Sequence, residues 1–181
     1  MQKIVVALIS LFMVTSSIDP FQFDFGKGKS GEDWWVINDG VMGGLSKGKA
    51  EMKENSLFFA GTISLENNGG FTSFRAPYER MNLSGYTTME VRYKSTGRTC
   101  AISLDQSTRF WLPNHKLKLP LSEDWKTIKI ALTDLDEFRM GKKTGRTMSE
   151  DEAASVIRVG IITDSKDPGQ FEFEIDYIKF S

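Results

Sequence analysis

The chain is short of several things that would announce a chemistry. It has one cysteine, Cys100, in 181 residues, which excludes an intrachain disulfide. It has one histidine, His115, which removes every two-histidine metal site and weakens histidine-based catalysis. It has no excess of one charge: 23 Lys and Arg stand against 24 Asp and Glu, for a net charge of −1. With basic residues dispersed and a pI near 5.9, nucleic acid gripped through its phosphates is excluded as a partner. No apolar run reaches the roughly 20 residues that a membrane-spanning helix needs. No linker, internal repeat or low-complexity tract divides the chain. What remains is a 40% apolar sequence with only five prolines, enough for one core.

The first 17 residues read as a secretory leader. Lys3 precedes a run from Ile4 to Val14 that is almost wholly apolar, and Thr15, Ser16 and Ser17 follow it. The run carries no arginine and is not amphipathic, unlike a mitochondrial transit peptide. The competing reading is a first buried strand. The expectation is therefore an exported mature domain, periplasmic or extracellular, over residues 18–181, without a stable membrane span.

The rest alternates. Phe21, Phe23 and Phe25 form a half-buried strand ended by Gly26 to Lys29. Trp34 to Ile37 is closed by Asn38-Asp39-Gly40, a strong turn signal, and Ala50 to Lys53 is placed to pair back. Leu57, Phe59, Gly61, Ile63 and Leu65 share a face, and Asn67 to Gly70 supply the positive φ of a tight hairpin into Phe71, Ser73 and Arg75. Met89, Val91 and Tyr93, then Cys100, Ile102 and Leu104, mark two further inward sets. Thr133 to Thr147 is polar and reads as a loop. Ser149 and Glu152 have the spacing of a capping box for a very short helix. In the last strand Phe171, Phe173, Ile175 and Tyr177 share a face, but Ile178 and Phe180 fall on the other, which predicts a bulge near Asp176 and Tyr177. Roughly ten short strands with turn signals every 8–12 residues predict an all-β antiparallel sandwich or barrel.

Two blocks then carry a family resemblance. Trp35, Asn38-Asp39-Gly40-Val41-Met42-Gly43-Gly44 and Ser46 form the first. Phe59-x-Gly61-x-Ile63-Ser64-Leu65, followed by Asn67-Asn68-Gly69-Gly70-Phe71-x-Ser73-x-Arg75, forms the second. Together with Val159-Gly160-Ile161, Gly169-x-Phe171 and Glu174 to Ile178, these resemble the complex I intermediate-associated protein 30 family over the whole mature chain. The resemblance implies a jelly-roll β-sandwich of the galactose-binding-domain-like type and a non-enzymatic, cofactor-free, chaperone-like role. Its eukaryotic members assist assembly of respiratory complex I, so respiratory-complex subunits are the implied partners. It transfers no catalytic residue.

The residues themselves leave two readings at each candidate position. Asp39, Gly43, Gly44 and Ser46, with Asn68 and Gly70, build corners that either present N–H groups and a carboxylate to a partner or simply turn the chain. Arg75 offers a planar fork to a carboxylate, either a partner's or the fold's own. Trp34, Trp35, Trp111 and Trp125 either stack on sugar rings or fill the core. Trp34 and Trp35 are adjacent on a strand, so at most one of them lies between the sheets; Trp34 is placed among the binding residues with the corner. Cys100 reads as an inert buried thiol. His115 reads as a loop residue without an acid and nucleophile beside it. Glu172, Glu174 and Asp176 line one strand face and either bind a cation or are solvated; the solvated face is the stronger reading, because a hard cation needs oxygens converging from several segments. A protein-binding assembly module is the first expectation; an exported carbohydrate-binding module is the alternative.

Overall fold

The computed structural model describes residues 18–163 and 167–181, except the side chains of 41 and 42. The segment expected to be a leader, residues 1–17, lies outside the described residues. In chain order the strands are β1 (Phe21–Asp24), β2 (Trp35–Asn38), β3 (Lys47–Met52), β4 (Leu57–Ile63), β5 (Thr72–Arg75), β6 (Thr88–Thr96) and β7 (Cys100–Asp105). Then come β8 (Asn114–Lys118), β9 (Ser122–Ala131), β10 (Asp136–Arg139), β11 (Lys142–Thr147), the helix α1 (Glu150–Ala154), β12 (Arg158–Thr163) and β13 (Gly169–Phe180). No helix among the described residues is long and apolar enough to cross a membrane.

The strands form two antiparallel sheets. The first runs β3-β4-β13-β6-β9, with β1 also paired to β13. The second runs β11-β10-β8-β7-β12-β5-β2. Inward side chains interdigitate between them, as expected for a sandwich core. Aromatic rings fill one end: Trp34 lies 5.3 Å from Phe23, 5.3 Å from Phe25 and 5.5 Å from Phe74. Phe59 meets Phe171 at 5.0 Å, and Tyr93 stacks on Phe173 at 5.6 Å with its hydroxyl donating to the Pro120 carbonyl. Cys100, Ile102 and Leu104 are buried as expected. The parity slip in β13 is a register shift between Ile175 and Tyr177 against β6. The capping box of α1 is formed, with the Glu152 amide donating to the Ser149 hydroxyl and the Ser149 amide donating to Glu152.

Three local expectations are corrected. The segment after Ile37 does not fold back as a hairpin: β2 pairs with β5, and β3 pairs with β4. The Asn67 to Gly70 turn is likewise no hairpin, because β4 and β5 belong to different sheets. Both glycine-rich corners carry the chain from one sheet to the other. Part of the polar stretch read as a loop is the β10–β11 hairpin at the sheet edge, where a fully exposed β11 shows no apolar alternation.

Candidate binding surface

The two corners are joined by one carboxylate. Asp39 is 1% exposed. One of its oxygens accepts from the Ser46 amide at 2.9 Å; the other accepts from the Gly70 amide at 2.7 Å and the Phe71 amide at 3.3 Å. A Cβ on Gly44 or Gly69 would collide with this carboxylate, so both positions need glycine for close approach. Asn67 and Asn68 supply positive φ at 54° and 59°, a region that asparagine tolerates. Burial pushes the Asp39 carboxyl up, but the hydrogen bonds from Ser46, Gly70 and Phe71 outweigh it and hold it below its ordinary value. Ser46 is buried too; its hydroxyl donates to the Ser64 carbonyl and accepts from the Ser64 amide. The donors and acceptors of this constellation are therefore used internally. It shapes the sandwich end.

Trp34 requires a correction. It is 7% exposed and sits among Phe23, Phe25 and Phe74, because the strand phase turns it inward. Trp35, its neighbour, points the other way and is 42% exposed. Trp125 is also exposed, but Arg92 and Lys94 lie 4.7 Å and 5.2 Å from its ring, so cations already occupy that face. Glu174, read as solvated, is buried: the Ser56 hydroxyl donates to it at 2.6 Å, and Lys53 and Lys94 pair with it.

Trp35 opens onto the outer face of the seven-stranded sheet. Register places Trp35, Arg75, Gly160, Ser103, Lys116 and Asp136 in one row across β2, β5, β12, β7, β8 and β10. The next row holds Arg158, Asp105, Asn114 and Phe138. Asp105 ties the rows together. One oxygen accepts from Arg75 at 3.1 Å and from Arg158 at 2.9 and 2.8 Å; the other accepts from Asn114 at 3.1 Å. The partner of Arg75 is thus the fold's own carboxylate, 30 residues away in sequence. Burial lowers the Arg75 guanidinium's pKa, which Asp105 partly offsets. Two guanidiniums on one carboxylate leave this part of the floor cationic.

The rim is aromatic. Tyr78 is exposed and lies against the Arg158 guanidinium at 4.1 Å. The loop joining β7 to β8 springs from the Asp105 and Asn114 end and carries exposed Phe110, Trp111 and Leu112. On the floor, the Ser103 hydroxyl is buried without a hydrogen-bond partner among the described residues. Gly160 lies between Arg75 and Ser103, where a Cβ would stand about 3 Å from both side chains. Sequence reasoning found Arg75 and the tryptophans. It missed Asp105, Arg158 and Asn114, because their convergence depends on pairings across β5, β12, β7 and β8.

Comparison with known proteins agrees with this architecture. The chain superposes on the family 11 carbohydrate-binding module of the cellulosomal cellulase Lic26A-Cel5E of Clostridium thermocellum with a TM-score of 0.66 and 14% identity, covering 91% of this chain and 95% of that one. The same organism's module in complex with a β-1,3-1,4-mixed-linked tetrasaccharide gives 0.59 and 14%, covering 88% and 94%. The glycoside hydrolase domain of Endo-D from Streptococcus pneumoniae R6 gives 0.50 and 13%, covering 90% of this chain and 28% of that one. At these identities the likeness concerns the fold. No curated protein matches the chain. The family model for complex I intermediate-associated protein 30 matches residues 23–175, which takes in both glycine corners, Trp35, Arg75 and the strands of the Asp105 network. The chain belongs to the complex I intermediate-associated protein 30 family.

Proposed function

We propose that this domain is a non-catalytic binding module, a chaperone-like assembly factor that docks a protein partner on the outer face of its seven-stranded sheet. Respiratory-complex subunits are the partners that family membership suggests. The observation that carries the reading is the composition of that face: a guanidinium and carboxylate floor with exposed Trp35 in register beside Arg75, Tyr78 on Arg158, and exposed Phe110 and Trp111 on the loop that leaves its Asp105 and Asn114 end. Tryptophan, tyrosine and arginine are the residues that concentrate binding energy at protein interfaces. The polar groups of the Asp105 network bind one another, which suits rigid recognition better than proton transfer. Export, expected from the apolar run Ile4 to Val14, belongs to the same proposal. Complex I subunits are expected to co-purify with the wild-type domain from its native cells, and to be lost from the Trp35→Ala, Trp111→Ala double variant. Equal recovery with both forms would refute the reading.

A second reading has its own support. Sugars bind through aromatic faces flanked by planar polar side chains, and this face offers both. The likeness to family 11 modules adds a fold that can carry such a site, though a fold does not assign a function. Titration against a panel of β-glucans separates the two. Saturable binding to one glycan class, lost in Trp35→Ala, would favour a carbohydrate-binding module over the assembly factor.

A further inference from the structure

The sole histidine is not in a loop. His115 lies in β8, directly opposite Glu137 of β10, and both side chains face the interior of the sandwich near its edge. Glu152, in the first turn of α1, closes over them. One ligand atom from each of the three residues falls within 4.8 Å of the others. His115 is 1% and Glu137 3% exposed. Neither imidazole nitrogen has a hydrogen-bond partner among the described residues. A buried polar ring without partners is costly, which makes this cluster unusual for a purely structural one.

We propose that His115, Glu137 and Glu152 form a divalent transition-metal site that clasps α1 to the edge of the second sheet. The imidazole Nε2 stands 3.6 Å from the Glu152 carboxylate, too far for a hydrogen bond. That spacing is close to the roughly 3.3 Å edge of a tetrahedron built on metal–ligand bonds of about 2.05 Å. The carboxylates are already oriented by neighbours, as metal-binding carboxylates usually are. The Thr144 hydroxyl donates to Glu137 at 2.7 Å, and the Ser149 amide and hydroxyl donate to one oxygen of Glu152 at 2.8 and 2.7 Å. Arg146, itself mostly exposed, spans the mouth at 3.8 Å from Glu137 and 3.5 Å from Glu152. Its guanidinium supplies the positive charge that an ion would replace. One imidazole with two carboxylates suits Zn2+ better than Ca2+ or Mg2+, which prefer all-oxygen shells.

The test uses the full tag-free chain after chelation, titrated with Zn2+ alone. The His115 ring is followed by 15N NMR, where the single histidine gives an unambiguous signal. One equivalent is expected to shift one ring nitrogen and raise the thermal midpoint by several degrees, since an ion bound only by the folded state stabilises it. His115→Asn should abolish binding. Arg146→Ala, a change at an exposed side chain, should tighten it about tenfold by removing a competing cation. An imidazole signal that ignores millimolar Zn2+ overturns the proposal even if His115→Asn fails to fold. So does Zn2+ affinity that survives His115→Asn, or that weakens in Arg146→Ala.

Discussion

Replacing Asp39 by asparagine removes one negative charge and almost no volume, so its effect isolates the carboxylate's role at the corners. Three backbone N–H groups point at that carboxylate, one to one oxygen and two to the other. Asparagine has a single carbonyl oxygen. Whichever way the amide turns, its NH2 meets at least one backbone donor, and that donor is left buried and unpaired. Hydrogen bonds to a charged acceptor contribute about 1.5–3 kcal/mol each, and orphaning a buried donor costs about 1–3 kcal/mol. A loss of about 3 kcal/mol is therefore expected, a large fraction of the roughly 5–15 kcal/mol that holds a domain together. Urea denaturation at pH 7 measures it as a lower midpoint with an unchanged slope. The pH dependence gives an independent check. Asp39 titrates lower in the folded state than in the unfolded one, where a carboxyl titrates near 3.9. Its contribution is complete above that unfolded value and vanishes as pH falls through the folded one. The gap between wild type and variant should thus close in acid, below about pH 4. A loss under about 1 kcal/mol at neutral pH, or a gap that does not narrow as the pH falls below about 4, would refute the corner argument.

The adjacent tryptophans should behave oppositely: Trp34→Ala is expected to cost about 3–5 kcal/mol for the aromatic cavity it leaves, whereas Trp35→Ala should stay within about 0.5 kcal/mol as a surface change. Comparable denaturation midpoints for the two would contradict their assigned faces. Asp105→Asn should destabilise by about 3–5 kcal/mol, because two guanidiniums lose their shared carboxylate in a buried setting; thermal unfolding that matches wild type would remove the network from the floor. Ser149→Ala should cost about 1 kcal/mol through the lost cap, read as faster amide exchange confined to α1; unchanged exchange there would dissociate the cap from helix stability.

How much of this was legible in the sequence depended on the range of the cause. The capping box and the β13 bulge are set by residues within a few positions of one another, and both formed where the pattern placed them. The glycine corners were legible as turns but not as crossings. The same Asn and Gly chemistry serves a hairpin and an inter-sheet step, and only the partner strands distinguish them. The β10–β11 hairpin leaves no apolar period in the sequence, because an exposed edge strand has none. Adjacency on a strand sets Trp34 and Trp35 on opposite faces but does not say which one faces inward. Asp105 and His115 gave no local signal. Their partners are Arg158, 53 residues away in sequence, and carboxylates on β10 and α1.

On the proposed reading, the outer face of the seven-stranded sheet meets the partner, and neither the corners nor the other sheet does. Site-specific photo-crosslinking in the native cell tests it most directly, with a photo-reactive phenylalanine analogue at Trp35 or, on the outer face of the first sheet, at the exposed Glu172. A discrete protein adduct is expected from position 35 and none from position 172. An adduct from position 172 alone would contradict it.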